Sequence, residues 1–345
     1  MRLRFFQEAL ASFQASSSKF RVIATSPRGR DIYAGGNWQK DDNLPSPPIP
    51  PAKPPRNLVI LDSSFNPPTR AHRLMATSAS WDVINNSPIA DIVPHGQSLR
   101  LLFVLSVNNA DKAPKPASFD QRLSMMWSLA RDVQTSLLIG PRGGEIGLRG
   151  ISVDIALSTL PYFHEKSQAI SENEFYRGTS STSPSGEWSG RLRPRAQNAA
   201  EQDQEPVTKQ VMLVGYDTVI RVFNPKYYRS EEGNGIQKAL GPLFDRAKLR
   251  VTLRPDDQWG KISEQKQYIK SLFKPKNVKE VGIDPSWESE IQLVKFPTGW
   301  SSYNAVSSTN ARKAAKEEDE AVLKKMLTET VREWVVREGL YREES

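Results

Sequence analysis

Residues 58–75 read LVILDSSFNPPTRAHRLM. The run LVILD is short, apolar and partly β-branched, the composition of a strand buried on both faces. Pro67 and Pro68 stiffen the exit from it, and Thr69 is suited to cap a helix that begins at RAHRLM. A strand that enters a helix through such a turn is the first half of a βαβ unit. The alternation continues along the chain. Strand-like runs recur at LRLLFVLSV, GLRGISVDIAL, QVMLVGY, KLRVTL and IQLVKF. Helix-like segments lie between or after them: RAHRLMATSASWDV, SFDQRLSMMWSLARDV, IQKALGPLFDRA, ISEQKQYIKSLF, and one long final helix over SSTNARKAAKEEDEAVLKKMLTETVREWVV. This order predicts a Rossmann-like doubly wound α/β fold, a parallel sheet with helices on both faces. Its ligand site is expected outside the carboxyl ends of the strands.

Outside this body the pattern changes. Residues 1–44 are expected to form an N-terminal extension, with a helix near residues 3–13 and a strand at FRVIAT. PSPPIPPAKPPRN, residues 45–57, excludes helix and central strand and reads as a proline-rich extended linker. The main domain spans residues 58–345. It is interrupted at about residues 167–209 by a segment rich in Ser, Gly, Pro and charge, expected to be a disordered insertion. Linker and insertion are both candidate docking segments for other proteins. No internal repeat is present.

The chain has 345 residues, 38% of them hydrophobic, enough for a sizeable core. No run approaches eighteen consecutive apolar residues, so neither a membrane span nor a membrane partner is expected. The opening MRLRFFQEALASFQASSSKF lacks the apolar stretch of a secretory signal. It reads either as a transit peptide or as an amphipathic helix. The absence of cysteine rules out disulfides and thiolate metal sites, and agrees with a reducing compartment, cytoplasmic or nuclear. A net charge of +8 suits nucleic acid or a phosphate-bearing small molecule, or simply keeps the surface soluble. Nothing resembles a zinc finger, an RRM signature or a basic-region heptad, so no specific nucleic-acid partner is expected.

Two turns carry chemistry. GxGxxG after the first strand and GxxxxGK[ST] are both missing, and GPRGGEIGLRG precedes a strand, so it reads as a loop. In SSFNPPTRAH, His72 is one of three histidines in the chain and falls in the first turn of a helix. Free N–H groups and the helix dipole favour an anion there, to which an imidazole can donate. The plainer alternative is that Thr69 caps and His72 packs. In VSSTNARKAAK, Ser307, Ser308 and Thr309 start a helix and Arg312 follows one turn later. Hydroxyls, N–H groups and a guanidinium at one helix start make a polyphosphate cradle, or an ordinary capped surface helix. His95 and His164 lack partners at metal-ligand spacing and read as surface or satisfied residues.

Taken together, SSFNPPTRAH and VSSTNAR resemble the signatures of the HxGH-type nucleotidyltransferase superfamily. More closely, they are similar to the GSFNPxTxxH and ISSTxxR patterns of the eukaryotic nicotinamide mononucleotide adenylyltransferases. LSVNNADKAPKPASFDQRLSMM looks like that family's Lys-then-Arg segment, with Lys112 and Arg122 at the matching positions, and VGYDTVIRVF looks like its GxD turn. SSFNPPT, GYDT and NPKYY are most like a divergent fungal branch. The resemblance implies a nucleotidyltransferase-type α/β fold that binds ATP and a mononucleotide, with Mg²⁺ arriving on the triphosphate and no protein metal site. It implies that His72 hydrogen-bonds the α-phosphate, that Thr69 touches the same phosphates, and that Ser308, Thr309 and Arg312 hold the departing pyrophosphate. Ser64, Phe65, Lys112, Gly215 and Asp217 would complete the ATP side, and Arg122 and Asp154 the acceptor side.

The sequence departs from the family twice. Ser63 stands where the first motif usually has Gly. The Trp-Glu pair whose indole stacks on the nicotinamide ring is missing, since SVDIALSTLPYF aligns Asp154, Ile155 and Ala156 there. Trp81, Trp127 or Phe163 can supply a ring or can be core. Three functions stay open: adenylyl transfer to a pyridine mononucleotide; the same ATP cradle serving another acceptor or hydrolysing ATP; and a non-catalytic interaction protein. Homo-oligomerisation is left open.

Overall fold

The computed structural model describes residues 1–27, 44–86, 99–107, 116–139, 151–177, 208–228, 234–254, 259–295 and 306–342. The strands are β1 (Phe20–Ser26), β2 (Asn57–Asp62), β3 (Leu99–Ser106), β4 (Val153–Ser158), β5 (Lys209–Gly215), β6 (Ala247–Leu253) and β7 (Ile291–Lys295). They form one sheet in the order β1-β4-β3-β2-β5-β6-β7. Strands β2 to β7 pair in parallel, and β1 lies antiparallel on the edge against β4. The six parallel strands follow the order of a doubly wound dinucleotide-binding sheet, which reverses between β2 and β5. The crevice therefore opens at the carboxyl ends of those two strands, where SSFNPPT and Gly215-Tyr-Asp begin.

Both faces of the sheet are covered, which is why its strands read as continuous apolar runs. Side chains alternate along β2. Val59 and Leu61 face one core with Leu101, Phe103 and Leu213, while Leu58 and Ile60 face the other with Leu102, Val104 and Met212. The first core packs α1 (Arg2–Gln14), α2 (Arg70–Asn85), α3 (Phe119–Ile139), α9 (Ser308–Lys316), α10 (Glu320–Met326) and α11 (Glu329–Arg337). The second packs α4 (Phe163–Ser171), α5 (Tyr216–Val222), α6 (Gly235–Arg246), α7 (Ile262–Leu272) and the 3-10 turn Pro285–Glu290, whose Trp287 is buried; α8 (Pro275–Val281) follows α7. Among the described residues no helix is long and apolar enough to cross a membrane.

The structure shows how residues 1–27 and 44–57 sit and adjusts two expectations, the start of the insertion and the length of the last helix. The N-terminal extension is part of the domain: β1 completes the sheet, and α1 buries Phe6 and Phe13 in the first core, roughly 1.5–3 kcal/mol for each ring. The proline-rich segment is laid against this edge. Ser46 Oγ donates to the Thr25 carbonyl, and Ile49 N–H donates to Thr25 Oγ1 at 2.9 Å. The insertion begins later than expected, because residues 167–177 belong to α4 and the 3-10 turn Glu174–Tyr176, with Ile170 and Tyr176 in the second core. Residues 178–207 lie outside the described residues. Finally, the long terminal helix is three. Asp319 caps α10 by accepting from Val322 N–H at 3.0 Å, directly after Glu318 at φ +53. Thr328 is the N-cap of α11, and the Leu327 carbonyl before it accepts from Arg70 Nε at 2.9 Å. The side-chain cap of Asp319 and the extended backbone at Thr328 interrupt a pattern whose apolar period continues across the breaks.

Candidate active site

The turn after β2 builds the first half of the site. Ser63 is half-buried and Ser64 exposed, while Phe65 is fully buried, at φ +46. The Phe65 ring lies under His72 with centroids 5.5 Å apart and meets Phe103 at 5.9 Å. Phe65 thus supports the histidine from below, and only its backbone is left for a nucleotide.

Thr69 is the N-cap of α2, as read from the sequence, but the cap also fixes the state of His72. The Thr69 N–H donates to His72 Nδ1 at 2.9 Å, and Thr69 Oγ1 sits 2.9 Å from the same nitrogen. A backbone N–H can only donate, so Nδ1 is the acceptor and the ring proton belongs on Nε2. Nε2 lies 3.0 Å from Ser63 Oγ. Protonating Nδ1 would break the cap, and burial independently holds the His72 pKa down, to about 4 from the ordinary 6.5. The imidazole is a neutral donor.

The second motif docks directly on this turn. Ser307 caps α9 by accepting from Asn310 N–H at 3.1 Å. Ser308 Oγ donates to the Pro67 carbonyl at 2.8 Å, and Arg312 Nη1 donates to the Asn66 carbonyl at 2.7 Å. Arg312 Nη2 lies 3.2 Å from Thr309 Oγ1, which is exposed. The starts of α2 and α9 are thereby brought side by side. Their N–H ends, a guanidinium, the exposed hydroxyls of Ser64 and Thr309 and a neutral imidazole donor gather at one edge of the sheet. Nothing in this set is a strong base or nucleophile, since Nδ1 of His72 is spent on Thr69. The set stabilises and orients anions.

Around it, Arg122 is buried on α3, its Nε donating to the Ala117 carbonyl at 2.9 Å, and burial lowers its pKa. Gly215 ends β5, and Asp217 folds back over it. A Cβ at Gly215 would lie 2.6 Å from Asp217 Oδ1, so a larger residue there would displace that carboxylate. Asp217 also faces Arg221 at 4.0 Å and stays partly accessible. On the other face, Lys166 of α4 pairs with Asp62, the last residue of β2, and both are largely buried. No sequence signal announced that pair, because its partners are 104 residues apart.

Other expectations are not met. Asp154, read as acceptor-binding, is fully buried near the amino end of β4, with Arg100, Thr25 and Tyr176 as partners. Its oxygens are used inside the sheet, and this corrects the expectation. Trp127 is core, and Trp81 and Phe163 pack against the two cores. His164 stacks on Tyr162 with centroids 5.6 Å apart and lies equally close to Tyr228. Lys112 and His95 fall outside the described residues. Among the described residues no group of three or more His, Asp or Glu side chains is placed to hold a metal.

No protein-family model matches the chain. A curated Schizosaccharomyces pombe protein named "Putative nicotinamide mononucleotide adenylyltransferase" is 28% identical over 276 residues, 79% of this chain and 82% of its own length. This similarity bears out the resemblance read from the motifs. A solved Plasmodium falciparum nicotinic acid mononucleotide adenylyltransferase complexed with NaAD aligns at TM-score 0.42 and 16% identity, covering 83% of this chain and 97% of its own. A Vibrio parahaemolyticus structure described as a "Putative Nicotinate-nucleotide Adenylyltransferase" aligns at TM-score 0.30 and 12% identity, covering 84% and 97%. The fold stands on the strand order itself.

Proposed function

We propose that this chain is an adenylyltransferase that moves AMP from ATP to nicotinamide or nicotinic acid mononucleotide. The observation that carries the reading is the docking of VSSTNAR on SSFNPPT, through Ser308 to Pro67 and Arg312 to Asn66. It builds one polyphosphate cradle from segments about 240 residues apart. In the reaction a phosphate oxygen of the mononucleotide attacks the α-phosphorus of ATP. The bond to the β-phosphate breaks, and pyrophosphate leaves with the electron pair. The attacking oxygen is already anionic, so positioning and charge stabilisation are the requirements. His72 donates Nε2–H to the α-phosphate without carrying charge. Thr69 holds the imidazole in that tautomer. Arg312, Thr309 and the start of α9 hold the β- and γ-phosphates, and Ser308 anchors that helix to the Pro67 turn. Mg²⁺ arrives as MgATP. Among the described carboxylates near this edge, Asp62 is tied to Lys166 and Asp217 stays partly accessible.

Product analysis with purified protein, ATP and Mg²⁺ tests this, with and without nicotinamide mononucleotide or its nicotinic acid analogue. The expected outcome is a dinucleotide and pyrophosphate, formed only with a mononucleotide. ADP and phosphate released regardless of the mononucleotide would favour ATP hydrolysis. That second reading has one observation behind it: among the described residues Trp127 and Trp81 pack in the first core and Asp154 is buried in the sheet, so none of these three is presented to an acceptor.

Ser63 supplies a sharper expectation. Its Oγ occupies the Nε2 donor that the α-phosphate would use, 3.0 Å away. Ser63→Gly removes that competitor, and calorimetry is expected to find ATP binding tighter by about two- to tenfold, the worth of one neutral hydrogen bond. Unchanged or weaker binding would mean that the serine does not compete.

A further inference from the structure

We propose that Tyr341, in the turn that follows the last helix, is a positioning residue for this nucleotide cradle. The chain is delivered there by a specific stop. Helix α11 ends in paired reverse bonds, Gly339 N–H to the Val336 carbonyl at 3.2 Å and Leu340 N–H to the Val335 carbonyl at 3.0 Å. This closure needs a left-handed residue at position 339, supplied by glycine at φ +62. Tyr341 then takes φ +70, a conformation that a bulky residue holds only when its surroundings repay the strain. The repayment is visible. The ring is buried in the first core, and the hydroxyl donates to Asn66 Oδ1 at 2.8 Å.

Asn66 is the hinge of the cradle. Its backbone carbonyl accepts from Arg312 Nη1 at 2.7 Å, and its side-chain oxygen accepts from Tyr341. One hydroxyl therefore holds the residue that aims Arg312. Tyr341 acts through Asn66 and Arg312, so its role is positioning. The step from positioning to turnover rests on the adenylyl-transfer reading, and the test separates the two.

The test uses full-length Tyr341→Phe, which keeps the ring and removes the hydroxyl. Amide exchange over residues 65–72 and thermal unfolding are measured alongside ATP kinetics with nicotinamide mononucleotide. The expected result is faster exchange in residues 65–72 with an almost unchanged unfolding midpoint. The KM for ATP should rise about three- to tenfold, with a smaller change in kcat. Faster local exchange in a protein that makes no dinucleotide even as wild type would uphold the positioning link while removing the reaction assigned above. Unaltered exchange in residues 65–72, or a general loss of stability with no local change, would overturn the proposal. A second variant, Tyr341→Leu, should loosen the same segment at least as much.

Discussion

Replacing His72 by alanine is expected to lower turnover by about 10²–10³, the loss typical of removing one donor aimed at transition-state charge. The KM for ATP should move far less. The reasoning starts from the tautomer. Thr69 N–H occupies Nδ1, so the single ring proton sits on Nε2, the nitrogen beside Ser63 Oγ. Because burial keeps the pKa near 4, the donor state stays constant across neutral pH, and turnover should show no inflection near 6.5 from this residue. A turnover within twofold of wild type would remove His72 from the chemistry. The same group has a signature in stability. Its folded pKa lies below the unfolded value, so the unfolded chain binds the proton more readily between the two. The His72 contribution to stability is complete above about 6.5 and is lost as pH falls toward 4. His72→Ala should flatten that part of the acid limb in urea titrations.

Replacing Asp154 by alanine is expected to cost about 3–5 kcal/mol of stability, since it leaves a buried guanidinium uncompensated. Asp154 Oδ1 accepts from Thr25 Oγ1 at 2.7 Å and from Arg100 Nη2 at 2.8 Å. Oδ2 accepts from Arg100 Nε at 2.5 Å and Tyr176 Oη at 3.2 Å. Burial works against the Arg100 charge, yet the hydrogen bonds and attraction of Asp154 hold its pKa above the ordinary value. Arg100 Nη2 also reaches the Ile49 carbonyl, so the cluster joins β1, β3, β4, the proline-rich segment and the 3-10 turn. It lies about four residues, roughly 13 Å, from the carboxyl end of β4. ATP affinity of the folded variant should therefore match wild type. Chemical denaturation measures the loss, and calorimetry with ATP checks that the site is untouched. A variant with normal stability but impaired nucleotide binding would return Asp154 to the site.

Much of this was legible in the sequence because it is locally encoded. LVILD is strand because both its neighbours and both faces are apolar, and Thr69 and Ser307 are caps by residue type. The same locality explains the misses. The last helix reads as one because its apolar period runs through Asp319 and Thr328, and residues 167–177 read as insertion because serine and lysine supply most of α4's buried second turn. Asp154 reads as a ligand residue because a carboxylate next to a motif position looks the same whether its oxygens face solvent or a buried arginine.

From the sequence alone came the alternation of strands and helices, the two turns of the candidate site, and the kind of ligand proposed for them. These depend on residue spacing, capping and charge within a few positions of each other. Tertiary structure alone decided where the side chains point and what they hold. Ser308 reaches Pro67 across 241 residues, Arg312 reaches Asn66 across 246, and Tyr341 reaches the same asparagine across 275. Such contacts leave no periodicity in the chain. They arise because the chain beyond β7, the edge strand, packs α9 and the Tyr341 turn against the turn after β2.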